Sequence, residues 1–578
     1  MKRILCSLVF LVGSTVYAQT NITSSNVLAE QIMLGNYNPL NYAPTNPVSD
    51  AKQIVAGINN GVLSDSLYRY MLRLQTFKNR NTAADTVSNT IGIGAARRWV
   101  YSKYQDFSSQ HQNRLISSYL QFNHSAICSQ TNGLYKNIFT VLPGTDTSDK
   151  SIIVIEGHID SRCEDPCDVL CQAEGMEDNA TGTALVMELA RVMSAYTFKN
   201  TIVFLIVIGE EQGLYGADAF AKYCQQKGIK VKAVLNNDVI GGIVCGKTSS
   251  PPSCPGLNAI DSTQVRLFSS GKNVSAHKSL ARYVKLQYQE ELLSIVKVPM
   301  TVSIMNAEDR SGRGGDHIPF RQLGYTAIRF TAANEHGDAN PVASYTDRQH
   351  STRDILGTDR NTDGVIDSFF VDFNYLGRNA VINGATAAMI AQGVFTPAYE
   401  VVTKDGKLTV NISSASAPAY RIGVRTISND FKALYTTTDK NFELPDIKLD
   451  TNYFISVAAV NGLGVESLFG IEKQAKLTAS TGVSVKESVG AELLNTYPNP
   501  ADETTTITIN ISDKSRIKTA IIRIIDLQGR LIKEMPFTPQ NGLNEVIYDH
   551  GYNASGIYQY SLVVDGQTVA TKKMIFSN

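Results

Sequence analysis

The sequence predicts an α/β domain on a mostly parallel sheet flanked by helices, followed by two all-β sandwich domains. Three observations carry this. Between residue 133 and about residue 394, continuous Val/Ile runs alternate with amphipathic stretches, as in strands buried on both faces and covered by helices. After about residue 396 the texture changes to short period-2 segments with polar turns. Polar residues able to bind metal or move protons follow several of the apolar runs directly, where parallel sheets build their sites.

The chain opens with Met1-Lys2-Arg3, an apolar stretch over 4–12 and Val16-Tyr17-Ala18. A charged start, a short apolar middle and a small-residue end are the parts of a secretory signal peptide, so residues 1–18 are expected to be removed after Ala18. No later run approaches transmembrane length. Residues 19–50, polar and rich in Asn, Ser and Pro, read as an extended lead-in. Residues 51–110 carry helical spacing at Leu67, Met71, Leu72 and Leu74, then a second helix around Gly94-Ala95-Ala96-Arg97-Arg98-Trp99. Beyond them the clearest helices are 184–192, 214–224 and 379–392, and the clearest buried strands are 152–155, 202–208 and 231–235.

Lys+Arg and Asp+Glu each total 53 in the 578 residues, so the formal net charge is zero. That balance gives no support to a nucleic-acid or polybasic membrane role. Of the 8 cysteines, Cys6 lies in the leader. Cys245 and Cys254 flank a Pro-rich loop and could close it, while Cys163, Cys167 and Cys171 cluster, with Cys128 and Cys224 elsewhere. The cluster's spacing admits a thiolate zinc site, but export favours disulfides, and the odd mature count leaves at least one thiol over.

The polar residues at the strand ends define the chemistry. The run 202–208 leads into Gly209-Glu210-Glu211-Gln212-Gly213, and 152–155 into Gly157-His158-Ile159-Asp160-Ser161. The run 231–235 leads into Asn236-Asn237-Asp238, and Glu177-Asp178-Asn179-Ala180-Thr181-Gly182 opens a helix between them. Adjacent carboxylates at the mouth of a buried strand are costly without a metal or a proton-transfer task. A hydrolytic two-metal centre needs a bridging carboxylate, terminal His or carboxylate ligands, and an unligated base. His158 can ligate, with Asp160 orienting its other ring nitrogen. Asp178 suits the bridge and Asp238 a terminal place. Glu210 and Glu211, pointing different ways at a strand end, divide into base and ligand. Taken singly, His158 or Asp238 is an ordinary hydrogen-bonded residue, a Glu-Glu pair a solvated face, and Gly182 or Gly216 a close-packing position. The ordered recurrence along one sheet edge argues against those bland readings.

The strings GHIDS, EDNATG, GEEQGLYGA, NNDVIGG and GGDHIPF resemble the family of di-zinc exopeptidases, over roughly residues 60–394. That family holds bacterial leucyl aminopeptidases and aminopeptidase Y, with glutamate carboxypeptidase and glutaminyl cyclase as relatives. The resemblance implies two Zn2+ ions held by His158, Asp178, Glu211, Asp238 and a late His, with Glu210 as general base and Asp160 supporting His158. The late His is best matched at His350, in Gln349-His350-Ser351-Thr352, with Gln349 where relatives carry Tyr. His317 and His336 are the alternatives. The implied activity is removal of N-terminal residues from peptides or proteins. Carboxypeptidase or glutaminyl cyclase chemistry on the same fold, and a non-catalytic surface adhesin, are the rivals.

Asp359-Arg360-Asn361-Thr362-Asp363-Gly364-Val365-Ile366-Asp367 imitates the first nine positions of a Ca2+ loop, but Phe370 stands at the twelfth, and a polar turn is favoured. The expected exopeptidase domain spans 51–394. Residues 396–476, with the alternating stretch 453–461, resemble a fibronectin type III module. A linker, 477–492, precedes a second β domain, 493–578. There Tyr497-Pro498-Asn499-Pro500-Ala501, Asp526-Leu527-Gln528-Gly529-Arg530, Gly556-Ile557-Tyr558 and Lys572-Lys573-Met574 resemble the sorting domain of the type IX (Por) secretion system. This implies the secretion machinery as a partner and a secreted or surface-attached protein.

Overall fold

The computed structural model describes residues 19–578 other than 129, 246–257, 272–273, 311–313, 335–347, 405, 414–416, 429, 479–489, 552–553 and 578. The expected leader, His336, Cys254 and most of the expected linker therefore lie outside the described residues. The chain divides into two compact units, Met1–Leu477 and Thr478–Asn578. Among the described residues no helix is long and apolar enough to cross a membrane.

The first unit is organised by nine strands: β1 (Thr20–Ser24), β2 (Ile116–Ile127), β3 (Gln130–Leu142), β4 (Ile152–His158), β5 (Thr201–Val207), β6 (Val231–Asn237), β7 (Gln264–Phe268), β8 (Thr301–Ile304) and β9 (Ala327–Ala332). They form one sheet in the order β1-β2-β3-β5-β4-β6-β9-β7-β8. The four central strands β5, β4, β6 and β9 are parallel. The margins are mixed: β1, β2 and β3 add antiparallel on one side, while on the other β7 runs antiparallel to β9 and parallel to β8. Every residue of β4 and β5 is buried, which explains their unbroken apolar sequence.

The helices are α1 (Val27–Met33), α2 (Ala51–Gly61), α3 (Ser64–Gln75), α4 (Gly92–Gln110), α5 (Thr181–Met193), α6 (Tyr215–Lys227), α7 (Ala276–Gln287), α8 (His317–Gln322) and α9 (Phe373–Gln392). The expected extended lead-in is instead partly structured, with β1 an edge strand and α1 burying Ala29, Ile32 and Met33. Its apolar residues are too few for a sequence period to show, but Ile22, Ala29, Ile32 and Met33 join the main core. α9 begins six residues before the expected stretch because Asp372 caps it, accepting from the backbone N–H groups of Asn374 and Tyr375.

A short ladder, β10 (Gly357–Thr358) with β11 (Ser368–Phe369), precedes α9. Beyond α9 come β12 (Tyr399–Lys404), β13 (Lys407–Ile412), β14 (Ala419–Arg425), β15 (Ala433–Thr437), β16 (Asn441–Glu443), β17 (Asn452–Val460) and β18 (Lys473–Lys476). They form two antiparallel sheets, β12-β13-β16 and β15-β14-β17-β18, around Val410, Ile422, Ile455 and Val457. β17 departs from the expected alternation, since residues 453–459 are all buried. Its Ile455 and Val457 face the sandwich core, whereas Ala458, with Val465 and Phe469 beyond it, joins the core of the large sheet. Buried polar contacts line the same junction. Glu472 pairs with Arg282 at 3.0 Å and with Arg425 at 2.6 Å, and Gln287 donates to Glu466 at 2.6 Å.

The second unit holds β19 (Ala491–Leu493), β20 (Thr504–Ile511), β21 (Ala520–Asp526), β22 (Leu531–Phe537), β23 (Gly542–Asp549), β24 (Gly556–Val564) and β25 (Gln567–Phe576). Its sheets, β19-β20-β23 and β22-β21-β24-β25, repeat the strand order of the first sandwich. Its separate core includes Ile507, Ile509, Ile522, Tyr560 and Leu562.

Candidate metal centre

The register of the parallel strands brings the site together. His158, the last residue of β4, pairs with Val207 of β5, and Glu156 pairs with Asn236 of β6. The chain after each strand therefore emerges at one edge: Gly209-Glu210-Glu211 after β5, Asp238 after β6, and the segment bearing Asp178 on the way to α5. Gly182 and Gly216 permit this close approach. A Cβ at Gly182 would lie 2.2 Å from the Asn237 carbonyl, and one at Gly216 would lie 2.3 Å from that of Ile208.

The groups converge as two triads. His158, Glu210 and Asp238 form one and Asp178, Glu211 and His350 the other, each with its ligand-type atoms within 4.8 Å of one another. Asp178 joins them, with Oδ1 3.2 Å from His158 Nε2 and Oδ2 3.1 Å from His350 Nε2. His158 Nε2 is also 3.3 Å from Asp238 Oδ1, and His350 Nε2 is 3.1 Å from Glu211 Oε2. Behind His158, its Nδ1 lies 3.1 Å from the Asp160 carbonyl and 3.5 Å from the Asp160 carboxylate. Nδ1 is thus the buried, oriented nitrogen and Nε2 the one presented to the site. His317 does not join either triad. It is fully buried, with Nε2 3.1 Å from the Glu308 carbonyl, and burial lowers its pKa to about 4, leaving it neutral.

Packing this many carboxylates into a buried site shifts Asp178, Glu210, Glu211 and Asp238. Burial would raise Asp178, but hydrogen bonds from His158 and His350 outweigh it and hold Asp178 well below the usual carboxylate range. Burial raises Glu210 well above that range; the charges of Asp238, Glu211 and Asp316 add to the rise, against the pull of His158. Burial likewise raises Glu211. Asp238 goes the other way, because Arg329 overcomes its burial. An acidic, desolvated cluster holding two imidazoles has the donor set of a divalent-cation site with open positions.

Several supporting residues gave no signal in the sequence. Arg329, fully buried on β9, pairs with Asp238 Oδ2 at 3.1 Å and with Asp309 Oδ1 at 3.2 Å. Asp354, four residues past His350, accepts from the backbone N–H of Glu177 at 2.8 Å and of Asp178 at 3.0 Å. It ties the His350 segment to the Asp178 segment. The segment at residues 79–82 touches three of the loops that carry the site. Arg329 and Asp354 stand alone among unrelated neighbours, and the polar string 79–82 reads in sequence like an ordinary exposed loop.

The cysteine cluster near this site resolves as disulfides, Cys128–Cys167 and Cys163–Cys171. A thiolate metal site at Cys163 and Cys171 is thereby replaced by a covalent staple. Cys245 is also disulfide-bonded, and its expected partner Cys254 lies outside the described residues. Among the described residues Cys224 is a free, buried thiol.

Two joined triads at the carboxyl edge of a parallel sheet have the position and the donor groups of a metal-dependent hydrolase site. Residues 137–365 match the family described as Peptidase family M28. The chain is 30% identical over 374 residues to a probable zinc metalloprotease of Leptosphaeria maculans, covering 62% of this chain and 82% of that one. It is 31% identical over 349 residues to a probable zinc metalloprotease of Pyrenophora teres, covering 58% and 68%. Among solved structures, it is similar to the LapA aminopeptidase of Legionella pneumophila, with 18% identity and a TM-score of 0.42, covering 60% and 74%. The chain belongs to peptidase family M28. Residues 495–577 match a secretion system C-terminal sorting domain, which assigns the chain to the cell surface or the medium.

Proposed function

We propose that the chain is a secreted zinc aminopeptidase that removes N-terminal residues from peptides at a pair of Zn2+ ions. The observation that carries this reading is the position of Asp178, whose two carboxylate oxygens face one imidazole each, at 3.2 and 3.1 Å. A carboxylate so placed is suited to bridging two cations, with His158 and Asp238 completing one set of ligands and Glu211 and His350 the other. The residues fit the group chemically: neutral imidazole and carboxylate donors suit zinc, and among the described residues no third His or thiolate joins either triad. When bound, the ions would supply Lewis acidity toward the scissile carbonyl and would make a water molecule acidic enough to attack at neutral pH.

The chain's own groups do the rest. Glu210 is the general base. Its raised proton affinity suits it to take the proton of the attacking water and return it to the departing amine. Asp160 fixes the ring and tautomer of His158. Arg329 holds Asp238 ionised and oriented. Gln349, standing where the resemblance leads to Tyr, offers no hydroxyl to the substrate carbonyl.

We further propose that residues 1–18 are a cleaved leader, that 51–394 form the peptidase domain, and that 396–476 form a fibronectin type III-like module. The order of β12–β18 in two sheets supports the last assignment. The sorting domain, 493–578 after the linker 477–492, would engage the type IX machinery. In the 359–367 loop, Asp359 accepts from Thr362 N and Gly364 N, both at 2.7 Å, and Asp363 accepts from Val365 N at 2.9 Å. The last of these closes an Asx turn, and together they support the polar-turn reading of the loop.

A substrate panel tests the activity: aminoacyl-anilides, the same peptides with blocked N-termini, peptides probed for C-terminal release, and N-terminal Gln peptides. Turnover confined to free N-termini, with release of the first residue, is the expected result. Cyclisation of the Gln peptides without hydrolysis, or C-terminal release, would overturn it.

A further inference from the structure

We propose that Thr82 is a positioning residue of the metal site, and that the buried polar segment 79–82 clamps the loops that carry it. The inference rests on the metal-site reading above and assigns a function to a stretch between α3 and α4 that contributes no ligand. Asn79, Arg80, Asn81 and Thr82 are consecutive and all buried, with Arg80 and Asn81 fully so. Four successive polar side chains in a core are costly unless each is satisfied. Each is satisfied, and the partners come from loops that surround the site. Asn79 donates to the Cys171 carbonyl at 2.8 Å and Asn81 to the Pro166 carbonyl at 2.8 Å, holding the disulfide-stapled loop. Arg80 donates to the Ile159 carbonyl at 2.8 Å, to the Gly175 carbonyl at 2.9 Å and to the Glu174 carbonyl. It thereby joins the segment after His158 to the segment before Asp178.

Thr82 makes the closest link. Its hydroxyl accepts from the Gly209 N–H at 2.8 Å, leaving its one proton for Asp160 Oδ2 at 3.1 Å. The same Asp160 oxygen accepts from the Glu211 N–H at 3.2 Å. One hydroxyl therefore couples Asp160, whose main-chain carbonyl meets His158 Nδ1 at 3.1 Å and whose carboxylate lies 3.5 Å from it, to the backbone immediately before Glu210 and Glu211. Both bonds are buried, so nothing but protein fixes their directions. Supporting partners of this kind change metal affinity or activity by about 10–100-fold when removed.

The test uses the mature full chain with Thr82→Val, which keeps the shape and removes both bonds, beside Thr82→Ser, which keeps both. Zinc affinity is measured by competition with a chromophoric chelator, and kcat and KM on an aminoacyl-anilide. Thr82→Val is expected to weaken zinc binding about 10–100-fold and to lower kcat, with KM little changed because Thr82 touches no substrate, while Thr82→Ser stays near wild type. Should Thr82→Val not fold, Thr82→Cys, which lacks an effective hydroxyl, decides in its place. Zinc affinity of the Val or Cys variant equal to wild type, or a Ser variant as impaired as Val, would overturn the proposal while leaving the metal site standing. Wild-type protein that binds no zinc would overturn both.

Discussion

Glu466 lies where the first β-sandwich meets the large sheet, and replacing it tests the electrostatics of that junction. Its carboxylate is buried, accepts from Gln287 at 2.6 Å and has Arg421 only at 3.5 Å. Burial, only partly offset by Arg421, raises its pKa from 4.5 to about 7. Between those values the native state holds a proton that the unfolded chain has lost, so stability falls as pH rises through the window. A shift of this size corresponds to about 3 kcal/mol at 1.36 kcal/mol per unit. For a unit as long as Met1–Leu477, with an unfolding entropy of roughly 2 cal/mol/K per residue, that is about 3 °C in melting temperature. Glu466→Gln removes the titration and keeps the partner. Melting curves of both proteins at pH 5 and pH 8 isolate its contribution, since all other groups cancel in the difference. The Gln variant should gain about 3 °C on wild type between pH 5 and pH 8. A difference that stays flat, or one in which wild type gains with rising pH, would refute the reasoning. The latter is the behaviour of a carboxylate stabilised by its ion pair.

Two further outcomes follow from the site and its staples. Glu210→Gln should keep its bound zinc and lose about 10²–10⁴-fold in kcat, as removal of a general base does; turnover near wild type would displace Glu210 from that role. Non-reducing peptide mapping should recover Cys128 linked to Cys167 and Cys163 linked to Cys171, with Cys224 alkylated only after unfolding, because it is buried and burial raises its thiol pKa. Alkylation of Cys224 in the native protein, or a different pairing, would contradict the structure.

Much of the fold was legible because burial on both faces leaves a plain mark. The apolar runs 152–155 of β4, 202–207 of β5 and 233–235 of β6 each lead into polar residues, which, with the EDNATG string ahead of α5, made His158, Asp160, Asp178, Glu210, Glu211 and Asp238 visible as a set. His350 was visible only through its resemblance motif, since it follows no strand. What could not be read depends on tertiary partners. The importance of Thr82, Arg80, Asp354 and Arg329 lies in the carbonyls and carboxylates they meet from distant segments. β17 looked like a half-exposed strand, but the large sheet's core covers its second face through Ala458, and no local period encodes that. Disulfide connectivity was equally beyond reach, because four clustered or distant thiols permit several pairings until the loop path is known.

The account stands or falls on whether Asp178, with its neighbours, holds a pair of cations. Metal content of the mature protein, read by elemental analysis after zinc loading and removal of excess, tests this directly. About two zinc ions per chain in wild type, falling to about one in Glu211→Ala while the fold is retained, is the predicted result. Wild-type protein without stoichiometric zinc, or a Glu211→Ala variant that holds as much as wild type, would contradict it.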